Sequence, residues 1–168
     1  LTLVAGWTLP FASPVIWTSF VLACIAIPSL LPVLTGLIPR RRGISKRSHL
    51  RAVGTDLVLA VSQVGLTVTL LAHQAWLMTD AIVRTLFRVY VTRRKLLEWV
   101  TAAQAKSAFY ITLGSVYHRM GGAVALAAAT AILVPFGPPG AWLVATPFAI
   151  LWALSPVAAH WISLPPRA

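Results

Sequence analysis

Long apolar runs separated by short basic stretches organise this chain, and the lengths of those runs set the first expectations. Membrane hydrocarbon is ~30 Å thick and takes about 20 residues of helix at a rise of ~1.5 Å. Residues 1–9 are apolar from the start and lack the basic leader region and small-residue cleavage pattern of a signal peptide, so they read as a truncated helix. A turn is predicted at Pro10, Phe11, Ala12, Ser13 and Pro14, with Trp7 and Trp17 flanking it at belt depth. Residues 15–38 are uncharged and long enough to span, and Pro28 and Pro32 are expected to kink the span at positions neighbouring helices can accommodate.

The stretch 40–51 carries Arg40, Arg41, Arg42, Lys46, Arg47 and Arg51, and so marks a cytoplasmic end. Residues 52–77 are apolar enough to cross, yet basic clusters flank them on both sides. A single crossing would put those clusters on opposite faces of the membrane. The pattern therefore favours a helix lying in the interface, with a re-entrant pair or a crossing as alternatives. Residues 79–99 read as a second interfacial helix. Ile82, Val83, Leu86, Phe87, Val89, Tyr90 and Leu97 form its apolar side, while Arg84, Arg88 and Lys95 recur at helical spacing. Asp80 with Arg84, and Arg94 with Glu98, stand four apart and can each add about 0.2–0.5 kcal/mol to a helix.

Residues 101–119 are expected to continue as a cytoplasmic helix leading into a span over 113–135. Ala123, Ala127 and Ala131 give that span a small face for close helix contact. An uncharged tight turn over 135–140 suits the far side. Residues 141–163 return, with Trp142 and Trp161 at the ends and Pro147 and Pro156 as kinks. Arg167 then places the C-terminus in the cytoplasm. The predicted fold class is an all-α membrane protein, a single transmembrane module over 1–168 with cytoplasmic-side interfacial amphipathic helices.

Composition sharpens this picture. Hydrophobic residues make up 58% of the chain and charged residues 10%, and the mean hydropathy is +0.83. A soluble domain has about 25% charged residues, so most of the surface of a soluble fold would here have to be apolar. The net charge of +11 invites a nucleic-acid reading. The cations nevertheless sit between apolar runs, as expected of loops lying on anionic headgroups, and no nucleic-acid partner is assigned. The bilayer is the partner this distribution implies.

Chemistry is sparse. Asp80 and Glu98 have helical basic partners, and Asp56, five residues after Arg51, reads as a hydrated group near the headgroups. His49, His73, His118 and His160 have no metal-ligand spacing, and Cys24 is the only cysteine. No phosphate loop, nucleophile elbow or carboxylate pair occurs, and Gly121-Gly122 reads as helix packing. Catalytic, cofactor-binding and metal-binding residues are accordingly assigned to none of these positions.

The most specific part of the chain is HQAWLMTDAIVRTLFRVYVTRRKLLEWVTAAQAK, residues 73–106. Trp76, Asp80, Ala81, Ile82, Arg84, Thr85, Leu86 and Arg88, then Arg93, Arg94, Leu96, Leu97, Glu98, Trp99 and the TAAQA run carry a resemblance to the cyclic β-1,2-glucan synthase family. AGWTLPFASPVIW at 5–17 and LWALSPVAAHWIS at 151–163 extend it more weakly. Lys106 stands where the family usually has an acid.

The resemblance implies a membrane region between an upstream glycosyltransferase domain and a downstream phosphorylase-like domain of a bacterial inner-membrane enzyme. It implies a UDP-glucose donor and a divalent metal in the parent, held outside these residues. The fragment would be a non-catalytic scaffold that orients the transferase, with Arg84, Arg88, Arg93, Arg94 and Lys95 as membrane-surface or domain-docking residues. Two other readings stand beside it: a fragment of a multi-pass transporter or permease, and a peripheral lipid-sensing adaptor.

Overall fold

A computed structural model describes residues 2–9, 13–37, 46–93 and 112–164, and it is all-helical over those residues. Six α-helices follow in order: α1 (Thr2–Thr8), α2 (Pro14–Gly36), α3 (Lys46–Phe87), α4 (Leu113–Arg119), α5 (Gly121–Leu133) and α6 (Ala141–Ser163). A π-helical turn, Arg88–Thr92, ends α3, and a 3-10 turn, Val134–Phe136, ends α5.

Three helical stretches are long and apolar enough to cross a bilayer: Pro14–Gly36, Lys46–Thr92 and Ala141–Ser163. The bent pair Leu113–Arg119 and Gly121–Phe136, folded by 67° at Met120, makes a fourth if it is one span. Large apolar side chains such as Ile16, Phe20, Ile27, Leu31, Leu34, Leu143, Ile150 and Leu154 lie uncovered along these helices. Water would not tolerate that much apolar surface on a folded chain. This is an all-α membrane protein.

Local chemistry suits lipid as well. Threonine hydroxyls donate back to the carbonyl four residues earlier at Thr55, Thr67, Thr69, Thr79, Thr130 and Thr146, at 2.6–3.0 Å. Each hydroxyl is thus satisfied within its own helix, which removes the cost of placing it where no water can reach.

The chain divides into two compact units, Leu1–Thr69 with Ala131–Phe148 and Leu70–Thr130 with Ala149–Ala168. In the first, α1 is a corner post. Trp7 is fully buried and tilts against Phe148 with ring centroids 5.3 Å apart. Its indole N–H donates to Thr18 Oγ1 at 2.8 Å, and that hydroxyl donates onward to the Pro14 carbonyl at 2.7 Å. Gly137 approaches the Trp7 carbonyl so closely that a Cβ there would collide with it. Pro14 starts α2, at a position where its missing N–H costs nothing. Gly140, at φ +83°, turns the chain into α6.

In the second unit the start of α5 meets α3. A Cβ at Gly122 would fall inside the Trp76 indole, so glycine is what admits that ring. The Tyr117 hydroxyl donates to the Ala153 carbonyl at 3.4 Å. Trp152 and Ser155 are buried, and Ser155 Oγ donates to the Trp152 carbonyl at 2.8 Å.

Several expectations need correction. The helices expected separately over 52–77 and 79–99 are one helix through residue 87. Nothing at Met78-Thr79 breaks it, and Thr79 bonds back to the Ala75 carbonyl like an interior residue. Trp7 was placed in an interfacial belt, but its N–H finds a buried hydroxyl partner and it is a core residue. In the small face of α5, Ala123 and Ala127 are buried while Ala131 is exposed, because the buried stripe passes through Thr130 instead. Residues 94–111, which hold part of the second expected interfacial helix and part of the expected 101–119 helix, lie outside the described residues.

Candidate functional site

The only element that gathers charge among the described residues is α3. It has 42 residues, which makes it ~63 Å long, about twice the hydrocarbon thickness. Lys46, Arg47 and Arg51 crowd its first turns. Cations there oppose the helix dipole, so helix stability does not account for them. Asp80, Arg84 and Arg88 sit at the other end, where cations complement the dipole.

At 100° per residue, Arg51, Thr55, Ser62, Thr69, His73, Asp80 and Arg84 fall within about 60° of one another around the helix. Asp56, Gln63 and Gln74 lie on the flank of the same arc. Nearly opposite runs the packed side, Val53, Ala60, Val64, Val68, Leu71 and Ala75. One polar arc therefore continues along the whole helix, through the point where two separate helices were expected. That continuity was missed in the sequence, although the spacing 51, 55, 62, 69, 73, 80, 84 carries it.

At the basic end Asp80 and Arg84 form an ion pair, Nε to Oδ1 2.8 Å, well exposed on both sides. A surface pair of this kind contributes about 0–1 kcal/mol, enough to order the arginine and too little to hold a fold. Arg88 opens the π-helical turn. Its carbonyl accepts from the Arg93 N–H at 2.7 Å, and Arg93 ends the helix at φ +47°. A shallow open notch on another face of the same turns is lined by Ala81, Ile82, Thr85 and Leu86. Arg94, Lys95 and Glu98 belong to the same sequence block and lie outside the described residues.

The other candidate residues are dispersed. His49 Nε2 lies 3.3 Å from the Leu37 carbonyl, linking the start of α3 to the end of α2. Nδ1 of His73 and of His160 are buried without a hydrogen-bond partner among the described residues. Cys24 is exposed on α2. Among the described residues, no three of His, Cys, Asp and Glu come together. Asp56 and Asp80 are 24 positions apart on one helix, ~36 Å along its axis. Those two acids are too far apart to share a metal ion.

Cyclic beta-(1,2)-glucan synthase NdvB of Rhizobium meliloti (strain 1021) is 37% identical to this chain over 161 residues, 95% of its length. The identity over nearly the whole of this chain supports the cyclic β-1,2-glucan synthase family that its sequence resembles. It spans about 6% of the length of that synthase, so it corresponds to one small part of a much larger protein. No family model matches it. The match does not favour the permease reading.

Proposed function

We propose that this chain is the non-catalytic membrane scaffold of a bacterial inner-membrane cyclic β-1,2-glucan synthase. It anchors and orients a UDP-glucose-dependent glycosyltransferase domain at the cytoplasmic surface. The single observation that carries the reading is the identity to the Rhizobium synthase over nearly the whole of this chain. The donor, and a divalent ion that accompanies it, bind in the upstream domain, and a phosphorylase-like domain follows downstream.

In this reading α3 lies along the cytoplasmic membrane surface, its polar arc towards the cytoplasm and its basic ends among headgroups, where each Lys or Arg near anionic lipid adds about 1 kcal/mol. The polar arc that runs along α3 supports it. The C-terminus returns to the cytoplasm through α6.

The test replaces Arg84, Arg88, Arg93, Arg94 and Lys95 with Gln in the full-length synthase. Glucan synthesis from UDP-glucose in isolated membranes should fall several-fold, with the KM for UDP-glucose unchanged. Undiminished synthesis would count against the anchoring role. Side-specific labelling that placed residue 47 and residue 88 on opposite faces of the bilayer would remove the surface position of α3.

A further inference from the structure

We infer that Phe136 and Trp142, on either side of the turn between α5 and α6, anchor that turn in the lipid interface of the leaflet opposite the basic stretch at 40–51. The inference rests on α2 and α6 crossing the bilayer and does not use the surface position of α3 proposed above. α1 gathers three helix ends here, all within one compact unit. The Trp7 N–H meets Thr18 near the start of α2, and its ring meets Phe148 in the first turns of α6. Its carbonyl occupies the space a Cβ at Gly137 would need, just after α5. The turn is therefore fixed against a buried post, and Phe136 and Trp142 point away from it, 85% and 57% exposed.

The position of a span end decides what those rings meet. α6 has 23 residues, ~34 Å of helix against ~30 Å of hydrocarbon, so its first turn lies at the edge of the apolar layer. α2, equally long, leaves the same end, and the stretch that follows it holds Arg40, Arg41 and Arg42. The turn and those arginines are thus one bilayer apart. No Lys, Arg, Asp or Glu occurs in residues 1–39 or 120–166, so no charge is at hand to hold this end among headgroups. Indole rings favour that depth without charge, because the ring prefers the acyl edge and its N–H requires a polar acceptor. Trp7 and Trp17 donate their N–H groups within the protein, to Thr18 Oγ1 and the Thr2 carbonyl, each at 2.8 Å. The Trp142 N–H has no partner among the described residues, and the ester carbonyls of lipid supply one. A soluble domain is a poorer occupant, since protein interfaces carry a polar rim. From 131 to 148 the one other hydrogen-bonding side chain is Thr146, whose hydroxyl already donates to the Trp142 carbonyl at 2.6 Å.

The experiment places a photo-crosslinking benzoylphenylalanine at Phe136, at Trp142 or at Phe148 in the full-length synthase in native membranes. Phe148 is 8% exposed against Trp7 and serves as the buried control. The anchor predicts phospholipid adducts at 136 and 142, and a crosslink within the same chain at 148. Joining of 136 or 142 to a soluble domain, another span or a second copy overturns it. A second measurement leaves the packed rings intact. Pro139→Cys, at the exposed tip of the turn, and Arg47→Cys are compared in sealed vesicles with an impermeant maleimide. One of the two should react at once and the other only after the vesicles are opened. Reaction of both from one side overturns the leaflet assignment, and no reaction at 139 from either side overturns the interfacial position. Neither result depends on where residue 88 lies, so the surface position of α3 stands or falls separately.

Discussion

The corner around α1 and the long helix α3 are built from similar residues and put them to opposite use. At the corner, the Trp7 ring is fully covered, its N–H is bonded to Thr18, and the hydroxyl it meets is bonded in turn to the Pro14 carbonyl. On α3, Trp76 is 45% exposed and lies over a glycine, and the hydroxyls satisfy only their own helix. Tertiary contacts hold the first region in one arrangement. The second packs through small residues such as Ala60, Val68 and Ala72, and much of the rest of its surface is exposed. The lesson is that a membrane module can concentrate hydrogen-bonded packing at one corner and hold a long helix by a narrow stripe of small side chains.

Three substitutions probe that contrast, from the largest expected effect to the smallest. Trp7→Ala empties the corner and removes the N–H that Thr18 Oγ1 accepts, and should cost about 3 kcal/mol. Thermal unfolding in detergent micelles measures it, and a loss as small as that of an exposed residue would dissolve the comparison. Gly122→Val forces its side chain against the Trp76 indole and should cost about 1–3 kcal/mol. Trp76→Ala in the same chain should restore most of that loss, since it removes the obstructing ring. A double-mutant cycle that found the two changes additive would mean the ring does not sit on the glycine. Asp80→Asn breaks only an exposed pair and should change stability by less than about 1 kcal/mol, with added salt erasing the difference. A larger effect would mean that the basic end of α3 is packed as firmly as the corner.

How far the sequence could be read depends on which residues are asked. The spans at Pro14–Gly36 and Ala141–Ser163 were legible within one or two residues, because an uncharged run of that length leaves lipid as its only suitable solvent. Gly122 was legible as a packing position, but not the ring that occupies the space, and a Cβ at the neighbouring Gly121 would meet nothing within 4 Å. Trp7 was misread because an indole beside a proline turn suits an interface and a core equally well, and its choice depends on a hydroxyl eleven residues away. The polar arc of α3 was split in two because Asp80 looked like the start of a new helix. A hydrophilic residue four positions before an arginine serves equally well inside one.

The resemblance to the synthase family, the all-α membrane class and the alternation of apolar runs with basic connectors followed from the order of residues alone. These rest on solvent preference and on the matched block, and neither requires knowing which residues meet. Only the tertiary structure decided that α3 is continuous, that Trp7 is core and that Trp76 rests on Gly122. Helical phase accumulates at 100° per residue. A single break at residue 78 would have turned the two halves of α3 to unrelated faces, and the polar arc would not run along the whole helix.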